Sequence, residues 1–196
     1  MWRSNLLLLV KEMNHPAWGI THFKRVYDLT NFLAKSQEYQ IDDDVIFASA
    51  YLHDIGAFSP YQQEGKDHSE ISAQNAEKIL KEIEFPLKKI SLVSDVIKGH
   101  MYYSKPKELL EVKLFHDADT LDFMGSIGIS RILSIVGIDD WTPDLKSAVK
   151  LIQQFSNELT QRLYTDGAKE MASVRKREMD LFLLNLASQT RDFDDL

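Results

Sequence analysis

Apolar residues recur every three to four positions along almost the whole chain, and no stretch alternates strictly between apolar and polar, so the chain reads as all-α. A first helix, roughly Ser4 to Met13, ends before Asn14-His-Pro16. A second runs from about Gly19 to Ser36. On it His22, Val26, Leu29 and Leu33 follow at i, i+4, i+7 and i+11, which places a histidine on the core-facing stripe. Asp42-Asp-Asp44 supplies an N-cap and a favourable dipole charge for a third helix, along which Ile46, Ala50 and His53 share a face before Gly56 stops it. After a loop from Ser59 to Lys66, Asp67 with Glu70 three residues on has capping-box spacing. It starts a helix reaching about Ile83 with His68 in its first turn. Pro86 begins the next, in which Val93, Val96, Ile97 and His100 fall on one side.

Beyond a loop from Met101 to Lys107, a helix from about Glu108 carries the run His116-Asp-Ala-Asp-Thr-Leu-Asp122, bends near Gly125 and continues through Ile127, Ile129, Ile132 and Leu133 to Gly137. Pro143 and Asp144 open a long helix to about Tyr164. Asp166-Gly167 separates it from a last helix ending near Gln189, on which Met171, Val174, Met179, Phe182 and Leu186 read as packing, and Arg191 to Leu196 reads as a frayed tail. The pattern therefore predicts eight or nine helices and no sheet.

With 196 residues and no internal repeat or linker, one domain over 1–196 is expected, its core at about 19–137 and C-terminal helices at about 144–190 packing on it. The early apolar run Leu6-Leu-Leu-Leu-Val10 is far shorter than the ~20 residues a membrane span needs, so no membrane partner is expected and the cytoplasm is the expected location. There is no cysteine, which leaves imidazole and carboxylate as the strong metal ligands. A formal charge of -7 disfavours nucleic acid, whose binding depends on neutralising many phosphates, but leaves room for a small anionic substrate held by a few local cations.

Those ligands are present in a suggestive order. His53 and Asp54 stand side by side at a helix end, His22 lies upstream on an inward face, and the acidic run lies downstream. Adjacent helical residues point about 100° apart, so His53 and Asp54 reach one ion only beside the last turn. Asp117 and Asp119 are about 200° apart, so only one of them faces the ion, whereas His116, Asp119 and Asp122 fall near one side. Burying two histidines beside carboxylates is costly unless something pairs with them.

The order His22, then His53-Asp54, then an aspartate resembles the HD superfamily of metal-dependent phosphohydrolases. The likeness extends over Trp18, His22-Phe-Lys-Arg-Val26, Ala50-Tyr-Leu-His-Asp-Ile55, His68, the Asp117 to Gly128 stretch, and Ala168-Lys-Glu-Met-Ala172 with Arg175. The resemblance implies a single-domain, multi-helix HD fold around a metal site, with each ligand on a different helix. It selects Asp119 of Asp119-Thr-Leu-Asp122 as the fourth ligand beside His22, His53 and Asp54, and makes Asp122 an outer or structural partner. Where some subfamilies have a charged residue after His-Asp-Ile-Gly, this chain has Ala57 and Phe58.

The function the resemblance implies is hydrolysis of a phosphate ester or anhydride of a small molecule, with a nucleotide as the expected substrate class, by water activated on a divalent ion. Such an ion polarises a phosphoryl oxygen and acidifies a bound water. Six-coordinate Mn, Fe, Ni, Co or Mg leaves vacancies beside four protein ligands, which tetrahedral zinc does not. His68, His100 and Arg25 are candidates for charge stabilisation or leaving-group protonation. One ion is favoured, and a second on His68 and His100 with the Asp54 carboxylate bridging is permitted by analogy with two-metal relatives. Two alternatives use the same pocket: a di-iron oxygenase and a non-catalytic nucleotide-binding module.

Overall fold

The computed structural model describes residues 1–196. The chain is all-α, with nine α-helices, three short 3₁₀ turns and no strand, and it divides into two compact units, Met1–Asp119 and Thr120–Leu196. No helix is long and apolar enough to cross a membrane.

The first unit is built around α3. It contains α1 (Trp2–Val10), α2 (Ile20–Ser36), α3 (Asp43–Leu52), α4 (His68–Glu82), α5 (Ile90–Gly99) and most of α6 (Leu110–Asp122). Every residue of α3 from Val45 to Leu52 is buried, and the helix packs against α1, α2, α4 and α5. Its N-terminus is tied by the three aspartates. Asp42 caps it, accepting from the backbone N–H of Asp44 and Val45. Arg3 of α1 pairs with Asp43 and Asp44 at 2.8 and 2.6 Å, and Tyr27 of α2 donates to Asp43 at 2.7 Å. Lys89 reaches Asp42 and Asp44, each at 2.8 Å, from the 3₁₀ turn that precedes α5. Acidic residues at this end also match the helix dipole, so one short run both starts α3 and ties its neighbours to it.

At the other end of α3 the chain makes a 3₁₀ turn, Ile55–Ala57, pressed onto the start of α4. Gly56 permits the approach: a Cβ there would lie 2.3 Å from the His68 carbonyl oxygen, and the Gly56 N–H donates to Ser72 Oγ at 2.8 Å.

In the second unit α7 (Gly125–Leu133), α8 (Leu145–Glu158) and α9 (Asp166–Gln189) pack against one another. The helix expected as one piece from Glu108 to Gly137 is two. α6 ends at Asp122, Met124 is extended, and Gly125 takes a left-handed φ of 69° that breaks the run. Glu178 of α9 then accepts from the Ser126 N–H and hydroxyl, both at 2.9 Å, satisfying the new helix start. Asp144 caps α8 as expected, but the helix gives way to a 3₁₀ turn at Leu159–Arg162 before Tyr164. Asp166 and Gly167 lie in the first turn of α9, not before it. Of the stripe read as packing on α9, Met179 is fully buried while Val174 is 46% exposed. Beyond α9 the chain makes turns rather than helix: the Asp192 N–H bonds the Ala187 carbonyl, and Arg191 pairs with Asp195.

Candidate metal centre

Six side chains of the first unit converge, from the start, end or face of five helices. His22 projects from the buried stripe of α2, where Val26 and Leu33 are fully buried, Leu29 is half-buried and Thr30 fills the remaining inward position. His53 is the C-cap of α3, Asp54 follows it, His68 opens α4, His100 is the C-cap of α5, and Asp119 lies in the last turn of α6.

Helix ends help here because the chain there still has carbonyls to spare. The His53 Nδ1–H donates to the Ala50 carbonyl at 2.9 Å, and the His100 Nδ1–H donates to the Ile97 carbonyl at 2.5 Å. In each case the acceptor lies three residues back, and in the neutral ring the bond leaves the Nε2 lone pair pointing into the cluster.

His22 Nε2 lies 3.1 Å from His53 Nε2, and Asp119 Oδ1 lies 3.2 Å from the former and 3.9 Å from the latter. Asp54 occupies the middle. Its Oδ2 faces His53 at 3.3 Å and His22 at 3.6 Å, while its Oδ1 faces His68 at 3.3 Å and His100 at 3.4 Å. His22, His53 and Asp119 have ligand atoms close enough to hold one ion, and so do His53, Asp54 and His100. Asp119 Oδ1 and His100 Nε2 are buried and make no hydrogen bond, although histidine or carboxylate neighbours stand near them. Buried polar atoms left this way are uncommon. Nitrogen and oxygen donors crowded around a common centre, two of them unsatisfied, fit a divalent ion.

The protonation states respond to the same crowding. Burial disfavours charge on His53, but the Asp54 carboxylate and, further off, Asp119 outweigh it and raise the imidazole above its ordinary range. His68 is raised against burial in the same way, chiefly by Asp54. Despite burial Asp54 is held well below the carboxylate range by the charge of His53 and by contacts with His100, His53 and His68. Asp119 is lowered against burial by His22, then His100 and His53. The negative field that holds protons on these rings is the field that attracts a cation.

The remaining expected residues have other placements. Arg25 stands one turn along α2 from His22 and is half-buried. Asp122 forms an ion pair with Arg131 of α7 at 2.9 Å, with both side chains buried, and the Arg131 guanidinium lies 4.0 Å over the Phe123 ring. Asp117 points elsewhere than Asp119, as its helical angle requires, and is fully buried with its Oδ1 3.4 Å from His116 Nδ1. Sequence reasoning missed Arg131. The available signal was a lone cation inside the apolar run Ile127 to Leu133, nine residues after an aspartate.

The HD domain family model matches residues 19–124, a span that contains all six converging side chains. The chain belongs to the HD domain family. HD domains bind divalent metals, and the buried histidines and aspartates of this one fit that property. No curated protein matches the chain significantly. Several solved structures share its fold. One is a predicted HD superfamily hydrolase from an uncultured Thermotogales bacterium, 23% identical over 96% of this chain and 90% of that one, with a TM-score of 0.64. A protein from Lactobacillus plantarum is 21% identical over 97% and 98%, with a TM-score of 0.71. YpgQ from Bacillus subtilis, solved in complex with ADP, is 21% identical over 96% and 97%, with a TM-score of 0.69.

Proposed function

We propose that this HD-domain protein is a metal-dependent phosphohydrolase that cleaves a phosphate ester or anhydride of a small molecule, with a nucleotide as the substrate class. The observation that carries the reading is Asp54, whose two oxygens face two separate pairs of imidazoles. His22, His53, Asp54 and Asp119 are the residues that would hold the ion. A divalent ion bound there supplies Lewis-acid polarisation of a phosphoryl oxygen and a nucleophile at neutral pH. The chain's own groups do the rest. His53 and Asp119 are buried, and the His53 ring is fixed by the Ala50 carbonyl at the end of α3, which preorganises that ligand. His68 is 30% exposed in its side chain and stands against Asp54, which suits it to meet a phosphate entering from solvent. The Asp54 carboxylate raises the proton affinity of His68 against burial, a direction that suits the imidazole to donate a proton toward a leaving oxygen. Arg25, one turn from His22, is the candidate clamp for a non-reacting phosphate. The ADP bound to YpgQ supports a nucleotide substrate.

A second reading, in which His68 and His100 would hold a second ion together with Asp54, draws on both imidazoles facing Asp54 Oδ1. The same geometry would serve a di-iron oxygenase. Metal analysis of gently purified protein, followed by a phosphate-release screen over nucleotides with Mn, Ni, Co and Mg, separates these readings. Release of phosphate or diphosphate with one ion per chain supports the first. Two irons and no phosphate release support the oxygenase, and bound nucleotide without turnover supports a binding module.

A further inference from the structure

His53 and His100 each have a ring fixed by a carbonyl three residues back, but His68 has no such anchor on its Nδ1. It is the first residue of α4, where helices fray most readily, and it is the partly exposed member of the set. Where its Nε2 falls relative to Asp54 is therefore decided by how the start of α4 is held. One restraint is the packing of Gly56 on the His68 carbonyl. The other comes from the loop after His100. The Tyr103 hydroxyl donates to Asp67 Oδ2 at 3.1 Å, while Asp67 Oδ1 is occupied in capping α4, accepting from the Ser69 N–H at 2.7 Å and hydroxyl at 2.6 Å.

We infer that Tyr103 is a positioning residue, a strut that fixes His68 against His100 by joining the residue before the one to the third residue after the other. The two rings it sets lie 5.6 Å apart between centroids and share Asp54 Oδ1. The strut is itself supported: Tyr102 packs edge-on against the Tyr103 ring at 5.2 Å, and the Ser104 N–H closes a turn onto the Met101 carbonyl at 2.7 Å. Burial and the adjacent Asp67 charge push the Tyr103 hydroxyl up to about 12, so it remains a donor throughout the working range. The ring is nevertheless 51% exposed, so it contributes little to the core and its loss need not unfold the unit.

The role rests on the phosphohydrolase reading only in its kinetic consequence, so the test has two arms. Tyr103→Phe removes the hydroxyl alone. Asp67→Ser keeps an N-cap for α4 but is too short to meet Tyr103. In side-chain NMR of the metal-free protein, both variants should shift or broaden the His68 imidazole signals while those of His22 and His53 stay in place. In the metal-loaded protein, each should lower kcat about tenfold, the scale expected for a misplaced catalytic group, with KM changed less than about twofold. The double variant should be no worse than either single, since both remove one link. Because the Asp67 charge itself acts on His68, the deciding variant is Tyr103→Phe: His68 signals identical to the parent in it, or a double variant that loses the product of the two single effects, would overturn the inference. If no phosphate compound is turned over at all, the proposed function fails while the imidazole spectra still decide the strut.

Discussion

Asp54 turns its Oδ1 to His68 at 3.3 Å and keeps its Oδ2 for His53, so one carboxylate is shared between two groups of imidazoles. A residue placed this way cannot be replaced piecemeal. Asp54→Asn keeps the shape but removes the charge and turns an amide NH2 toward one pair of imidazoles, where it occupies as hydrogen-bond acceptors the Nε2 lone pairs that a cation would need. Bound metal and turnover should both be lost, by more than the roughly 10 to 100-fold that an outer hydrogen-bonding partner contributes to metal affinity. Far-ultraviolet circular dichroism should show the helices retained.

Proton and metal compete for the same ring nitrogens. His53 and His68 are raised, so their contribution to the stability of the metal-free protein is fully present below the ordinary histidine range and fades as pH rises through the raised values. Asp54 and Asp119 are lowered, so theirs is present above the ordinary carboxylate range and fades as pH falls through the depressed values. The metal-free protein should accordingly be most stable between roughly pH 4 and 6.5, bounded by the two ordinary ranges. Metal affinity should instead climb with pH as the imidazoles lose protons. Thermal melts across pH, with and without Mn, check both trends; a metal-induced stabilisation that shrank as pH rose from acid to neutral would contradict them.

Arg131 and Asp122 form a buried pair in the second unit. Arg131→Met removes the ion pair at 2.9 Å from the buried Asp122 carboxylate and should lower stability by about 3–5 kcal/mol, with much of the loss restored in Arg131→Met/Asp122→Leu. Denaturant titration measures both. A single variant as stable as the parent would show the pair to be dispensable.

The helical periodicity is sufficient to place His22, Val93, Val96 and His100 on inward faces, because a period of 3.6 fixes which residues share a side. It also places His53 and Asp54 at a helix end, since Gly56 and the aspartates at 42–44 mark the limits of α3. It does not place the break between α6 and α7. That break depends on Gly125 adopting a left-handed conformation and on Glu178, 52 residues away, satisfying Ser126, and neither is a local property. Tyr103 is illegible for the same reason, and Arg131 shows only as a lone cation in an apolar run. Their partners Asp67 and Asp122 lie 36 and nine residues away in sequence, and only the tertiary path of the chain brings them together. The choice of Asp119 over Asp117 rests on family resemblance, and the contact of Asp119 Oδ1 with His22 Nε2 accords with it.

His68→Ala and His100→Ala should each reduce turnover by roughly 10²-fold, the contribution of a positioned acid or charge-stabilising group. On the one-ion reading, bound metal stays near one per chain. A parent that binds two and falls to one in either variant would establish the bridged pair instead. Metal stoichiometry alongside initial rates distinguishes them.

The central claim, that His22, His53, Asp54 and Asp119 hold a divalent ion, is tested most directly by the metal content of Asp119→Ala set beside that of Asp117→Ala. The two aspartates are two residues apart on α6 and both are buried, so either substitution disturbs the helix similarly. Asp117→Ala should cost about 1–3 kcal/mol of stability, as an interrupted buried polar contact does, and retain its metal. Asp119→Ala should come through purification with its metal lost. Metal retained in Asp119→Ala and absent from Asp117→Ala would contradict the account.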